Sequence, residues 1–426
     1  MIAVLAFLAL AGAGGTLAYQ TAARQREYRL QLARGDAALR DDQTFAAIEA
    51  YSGAIVLRPD SMLAYLRRGE TYRRRADRGD LDAAARDFRK AASLDPSATR
   101  PLEELGDVLY QLQRFDRAVD AYERFAALDD RSARINYKLA VARYRNGQAD
   151  AAIAALNQAV RLDDRLADAY YVLGVCLRQK GRRADALKAL EKAVALSPAL
   201  IPARDELAEM YGELDRRADQ LEQLQLLAGL DRDRAERHVA VAFAHARAGH
   251  RDAAVLAIRN ALDRMRDDPV LYRALGQIWL ESAQARVDRV DLKKAREALD
   301  HAAANPAATS EALALAASAA LEDGDLDVAE RALKRAATRF PIDAAALLLY
   351  ATVAERQNHP DDARRALIQY SALTARDSDL PARASRIAVL SLRVGDVATA
   401  AAWIRRGLQR DPQHAQLVAL ARRLGI

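Results

Sequence analysis

A small residue returns along this chain at an almost fixed step: Ala47, Ala84, Ala118, Ala152 and Ala186, then Gln220 as the exception, then Ala254, Ala295, Ala329, Ala363 and Ala400. Most intervals are 34 residues, and the steps that end at Ala84, Ala295 and Ala400 are longer. A fixed period of this size means that one supersecondary unit is repeated, and such a unit cannot bury its apolar face alone. Stacked neighbours bury it instead, so the period predicts an array of like units rather than a globule around one core.

The rest of each unit keeps the same register. Four residues after the recurring Ala stands a large apolar side chain, such as Tyr51, Phe88, Tyr122, Leu156, Leu190 or Ile258. Three further on a small residue is usual, as at Ala54, Ala91, Ala159 and Ala193. Spacings of three and four place these side chains on one helix face, where the small ones let a neighbouring helix approach. Pro59, Pro96, Pro198, Pro341 and Pro412 then end a unit, because proline cannot continue a helix. Five residues before the Ala sits Gly79, Gly147, Gly181, Gly249, Gly324 or Gly395, with Asn358 in one unit. These residues tolerate the left-handed conformation that closes a helix. An acid two residues before the Ala, such as Asp116 or Asp150, opens the second helix and complements its dipole.

With Leu105-Gly106, Leu173-Gly174 and Leu275-Gly276 in the first helices, this pattern resembles the tetratricopeptide repeat (TPR) family. In overall plan it is similar to bacterial membrane-anchored TPR proteins. The resemblance implies an all-α fold, a right-handed superhelical solenoid of α-α repeats. About eleven repeats are expected over residues 28–414. They start near Tyr28, Met62, Thr99, Ala133, Ala167, Ile201, Ala235, Pro269, Ser310, Ala344 and Pro381, and a capping helix follows at 415–426. Three places depart from the pattern: Gln220 replaces the small residue, and extra residues stand at Arg73–Asp80 and Ser282–Asp291. A bulge, a kink or a local contact is expected at each.

Composition agrees with a helical array: Ala, Leu and Arg are abundant, and 426 residues hold 19 Gly and 11 Pro. The 65 basic against 59 acidic side chains leave +6, too small an excess to argue for nucleic acid. The single cysteine, Cys176, excludes an intramolecular disulfide and lies in an apolar stretch, as a core residue does. His238, His245 and His250 form the one histidine cluster, on positions expected to pack rather than bind metal. There is no phosphate-binding loop, metal-spaced Cys/His set or nucleophile elbow. The expectation is therefore a protein with no catalytic residues and no cofactor or metal. Its expected partners are proteins or peptides, not nucleic acid or a small-molecule substrate.

Ile2 to Tyr19 contains no charge and is followed by Arg24, Arg26 and Arg29. This stretch is at the lower limit for crossing a bilayer, so residues 1–27 are expected to form a membrane anchor or signal segment and linker. The expected location is single-pass in a bacterial inner membrane. The positive-inside rule puts the repeats in the cytoplasm. A basic segment upstream of the present start would instead place them in the periplasm.

In the TPR family the first helix of each repeat lines a concave groove. Carried onto repeats three to five, the lining positions are Arg100, Glu103, Asp107, Tyr110 and Gln111, then Arg134, Tyr137, Val141, Tyr144 and Arg145, then Asp168, Tyr171, Val175, Arg178 and Gln179. Arg100, Tyr110, Arg134, Tyr137, Tyr144, Arg145, Tyr171 and Arg178 are the candidate partner-binding residues. Tyrosine and arginine are enriched where binding energy concentrates, the rings as flat amphipathic contacts and the guanidinia as readers of carboxylates or carbonyls. The functional expectation is a membrane-tethered scaffold that holds partner peptides or helices. The alternative is a periplasmic TPR protein that assists polysaccharide export, pilus or secretion-complex assembly. Acids at the ninth position of the first three repeats (Asp36, Glu70, Asp107) argue against a groove that clamps a terminal carboxylate with Lys and Asn.

Overall fold

The structure is a computed structural model that describes residues 2–374 and 379–426, with side chains from residue 19 onward. Among the described residues there are 23 α-helices and no strand. Two compact halves divide the chain. The first, Met1–Met210, holds α1 (Ile2–Arg40), α2 (Thr44–Leu57), α3 (Met62–Arg75), α4 (Asp80–Leu94), α5 (Thr99–Gln111), α6 (Phe115–Leu128), α7 (Ala133–Arg145), α8 (Ala149–Leu162), α9 (Ala167–Gln179), α10 (Arg183–Leu196) and most of α11 (Ile201–Glu213). The second, Tyr211–Ile426, starts within α11. It continues with α12 (Arg217–Leu230), α13 (Ala235–Arg247), α14 (Arg251–Leu262), α15 (Pro269–Arg286), α16 (Arg289–Ala304), α17 (Ser310–Glu322), α18 (Leu326–Ala336), α19 (Ala344–Arg356), α20 (Pro360–Leu373), α21 (Leu380–Arg393), α22 (Val397–Arg410) and α23 (Ala415–Leu424).

The turns form for the reason the sequence supplies. Gly79, Gly147, Gly181, Gly249, Gly324 and Gly395 have φ between 74° and 86°, and Asn358 has φ 60°. Within each half the first helix of a repeat packs on the second, and first helices of adjacent repeats touch, as where α3 meets α5, α7 meets α9, α13 meets α15 and α17 meets α19. The recurring alanines are fully buried between them.

A volume pairing recurs where the two helices of a repeat meet, although Gly174 and Gly276 face leucines, Leu190 and Leu299, in repeats five and eight. In the first three repeats the large residue four after the recurring Ala is aromatic, Tyr51, Phe88 or Tyr122, and Gly35, Gly69 or Gly106 lies against its ring. In repeats four, seven and nine the facing residue is Ala140, Ala242 or Ala317, and the partner shrinks to Leu156, Ile258 or Leu333. A Cβ on Gly106 would collide with the Tyr122 ring. That ring is buried, and its hydroxyl donates to Asp107 Oδ1 at 2.6 Å, so it cannot swing aside. Overpacking costs about 1–3 kcal/mol. Alanine in a helix interior regains about 1 kcal/mol over glycine. Gly106→Ala is therefore expected to lower unfolding free energy by up to about 2 kcal/mol in urea titrations. Adding Tyr122→Leu recreates the Ala140–Leu156 pairing, so the double variant should be more stable than Tyr122→Leu alone. Strict additivity in that double-mutant cycle would refute the pairing.

The three departures from the repeat pattern have local causes. In repeat six the volume exchange moves along the helix, and Gly212 makes room for the Gln220 side chain. In repeat two, Arg75 closes the longer turn by a bidentate pair to buried Asp80, Nε to Oδ2 at 2.7 Å and Nη2 to Oδ1 at 2.6 Å. In repeat eight the two ends of the insertion meet: Ser282 Oγ donates to Asp291 Oδ2 at 2.8 Å. Arg251 from α14 donates Nη1 to both, at 2.7 and 2.8 Å. The Trp279 ring lies between Arg251 at 5.3 Å and Lys294 at 4.2 Å. This clasp lets α15 run for 18 residues, longer than the other first helices of its half.

The expected membrane location needs correction. Among the described residues no helix is long and apolar enough to cross a membrane. That finding overturns the single-pass inner-membrane location and the transmembrane helix of the expected fold. The side chains of residues 1–18, on which most of that expectation rested, lie outside the described ones. From Tyr28 onward α1 packs with the repeats, since Tyr28 is buried with its hydroxyl 2.6 Å from Ser61 Oγ.

Candidate functional site

The first-helix positions of repeats three to five fall on α5, α7 and α9, and the structure divides the eight candidates into two sets. Three of the four arginines are held by carboxylates of adjacent repeats. Arg100 Nη2 lies 2.5 Å from Glu70 Oε1. Arg134 pairs with Glu103, its Nη2 at 2.7 Å from Oε2. Arg178 Nη1 reaches Glu206 at 2.6 Å and Glu209 at 2.9 Å. Arg145 instead lies 5.5 Å over the Phe115 ring, which also meets Tyr110 edge-on at 5.3 Å. Partly exposed pairs of this kind add little stability each, but they fix the angle between repeats and neutralise the charge offered to a guest.

The tyrosines form the second set. Tyr110 and Tyr137 line a groove of about 370 Å³ between α5 and α7, with Asp107, Gln111, Tyr122, Lys138 and Val141. Tyr137, Tyr144 and Tyr171 are half-buried, and none has a hydroxyl hydrogen-bond partner among the described residues. Burial foremost, then the Asp168 charge and the neighbouring Tyr110 and Tyr171, pushes the Tyr137 phenol above its ordinary value. Burial, then Glu206, Tyr144 and Asp205, does the same at Tyr171. The rings thus sit within each other's electrostatic reach along successive first helices. Tyr137 and Tyr171 therefore stay neutral at physiological pH and present a ring face and an O–H.

Lys138 was not singled out from the sequence, yet it links two repeats. Its Nζ lies 2.7 Å from Glu103 Oε1 and from Asp107 Oδ2. The signal was a cation whose repeat-to-repeat spacing matches two acids of the preceding repeat's first helix, α5. The ninth-position acids also serve the scaffold: Asp36 accepts the Tyr51 hydroxyl at 2.7 Å, and Asp107 accepts that of Tyr122.

Other chemistry-bearing residues are occupied by packing. Cys176 is buried, and burial pushes its thiol up to about 11, so it is not a thiolate at neutral pH. His245 and His250 face each other with ring centroids 6.4 Å apart, and His238 Nε2 lies 2.9 Å from the Arg232 carbonyl. Burial, then His250, lowers the pKa of His245. Among the described residues no group of three or more His, Cys, Asp or Glu is placed to hold a metal ion.

Tetratricopeptide repeat models match overlapping windows of this chain over residues 32–99, 73–133, 103–166 and 137–201, and again over 320–382. Together they cover more than half of it. The small glutamine-rich tetratricopeptide repeat-containing protein 2 of Mycosarcoma maydis is 33% identical over 90 residues, 21% of this chain and 25% of that protein. The chain therefore spans about a quarter of that relative's length. Among solved structures, MamA is 28% identical, with 39% of this chain and 96% of MamA covered at a TM-score of 0.37. YrrB, described as a TPR protein with an unusual peptide-binding site, is 22% identical, with coverage of 43% and 93% at 0.37. A C-terminal part of a TPR protein from Cytophaga hutchinsonii is 17% identical, with coverage of 58% and 99% at 0.49. The family models match more than half of a chain whose helices pair across left-handed turns, and the chain belongs to the tetratricopeptide repeat family.

Proposed function

We propose that this protein is a non-catalytic scaffold that holds a peptide segment of a partner protein against the first-helix face of repeats three to five. TPR proteins typically mediate protein–protein interactions, and the proposal assigns that role to a particular surface. The observation that carries it is the set Tyr110, Tyr137, Tyr144 and Tyr171, half-buried on successive first helices, of which Tyr110 and Tyr137 line the groove between α5 and α7. Such rings bring large contact area at small conformational cost, and they are enriched among residues that dominate binding. Arg100, Arg134 and Arg178 act in this reading as struts that hold the rings in register, while Arg145 borders the groove through Phe115.

The test is a selection of phage-displayed random dodecapeptides on the full chain, followed by titration of the enriched peptides against the Tyr137→Ala, Tyr144→Ala, Tyr171→Ala triple variant. Peptides that depend on the three rings support the assignment. Peptides that bind wild type and triple variant alike refute it.

A further inference from the structure

Along the first-helix face the cross-repeat ion pairs stop between repeats four and five, where the remaining pair, Lys180 Nζ to Asp150 Oδ2 at 2.7 Å, joins the end of α9 to α8 instead, and the interruption has a sign. Between repeats three and four, two cations bridge the helices: Arg134 to Glu103, and Lys138 to Glu103 and Asp107. One repeat later, Asp168 and Val172 stand where Arg134 and Lys138 stood. Tyr137 and Val141 stand where Glu103 and Asp107 stood. Both rungs have lost their cations. The surface left behind is aromatic and apolar, with Asp168 exposed and in no ion pair among the described residues. The next cation along the face, Arg178, is committed to Glu206 and Glu209. Arg145 lies over Phe115, at the other end of α7 from Tyr137.

Resting on the reading above, we infer that the guest segment carries a lysine or arginine whose cation sits on Asp168 against the rings of Tyr137 and Tyr171, completing the missing rung. The chemistry is mutual. A cation over a tyrosine face is attracted by the ring quadrupole, more strongly when partly desolvated. A carboxylate at the edge of that site adds a charge-assisted hydrogen bond. An acidic guest would meet Asp168, which is exposed, and be repelled. Asp168 also stands in the first turn of α9, where it complements the helix dipole. That role tolerates a guest cation, because the side chain is exposed.

The dodecapeptide selection tests this separately from the groove itself. Peptides enriched on the full chain should contain Lys or Arg well above the starting library. Each should lose about tenfold in affinity, the scale of one hot-spot contact, when its basic residue is changed to alanine. Asp168→Asn should cost the same peptides about tenfold without altering helicity, and raised salt should shrink that difference. Asp168→Lys should shift the selection toward acidic peptides. Ring-dependent peptides that carry no basic residue, or that ignore Asp168→Asn, would overturn the charge assignment and leave the groove standing. Peptides indifferent to the three tyrosines would overturn both.

Discussion

Replacing Asp291 with alanine is expected to lower the unfolding free energy of the second half by about 3 kcal/mol, the largest single-residue effect foreseen for this chain. Asp291 is only 3% exposed and holds three groups at once: the Ser282 hydroxyl, the Arg251 guanidinium and the Lys294 ammonium. Removing one partner of a buried pair leaves the other charge without its counter-ion. Arg251 and Lys294 both reach solvent, which keeps the cost at the lower end of the range for such pairs. Asp291→Asn keeps one acceptor for Ser282 and should cost about half as much. The pH dependence has a definite sign. Burial raises the Asp291 carboxyl, but Ser282, Lys294 and Arg251 outweigh it and hold the group below the usual carboxylate range. Its contribution is therefore complete above the ordinary Asp value, about 3.9 in the unfolded chain, and is lost as pH falls through the lower folded value. Urea titrations at neutral and at acid pH should show the gap between wild type and variant closing on acidification. A variant as stable as wild type at neutral pH, or a gap that widens in acid, would show that the clasp does not hold the insertion. Hydrogen exchange should place the loss in α15 and α16, since repeats depend mainly on their neighbours.

The second large effect is on binding. The Tyr137→Ala, Tyr144→Ala, Tyr171→Ala variant is expected to lose at least about tenfold in affinity for selected peptides, while its circular dichroism stays that of wild type. The three rings are half-buried, whereas the residues that join the helices, such as Leu139, Ala140 and Leu173, are buried beneath them and untouched. Their loss therefore removes contact area at the surface without opening the core. The hydroxyls have no partner to orphan among the described residues, so the substitutions leave no buried donor unsatisfied. Retained affinity would remove the groove from consideration. A lost helical signal would mean that the rings are part of the scaffold.

How much of this was legible before the structure depends on distance along the chain. The turns were legible because a left-handed residue closes a helix by local geometry, and Gly147 or Asn358 announces it without reference to any other residue. The two insertions were visible as extra residues, and the Ser282–Asp291 segment was bounded at the two side chains that prove to bond each other. Why it needed Arg251 was not visible, because that partner comes from the preceding repeat. The tyrosines of α7 and α9 were found from their register, and their mutual reach follows from the stacking. The arginines were found in the same way, but register alone assigns a guanidinium to the groove without showing which carboxylate it already holds.

The amino-acid sequence by itself determined the repeat, the helix pairs, their turns and the face each helix buries, because each follows from spacing within one unit and from the conformational limits of Gly, Pro and Asn. Only the tertiary structure decided the charge of the exposed face. Arg100, Arg134, Lys138 and Arg178 bond acids in neighbouring repeats, roughly one period away, and only the stacked backbone brings those groups within hydrogen-bond reach. Once those pairs are formed, Arg145 lies over the Phe115 ring and the carboxylate of Asp168 is in no ion pair among the described residues, and that is a property of the stack rather than of any single unit.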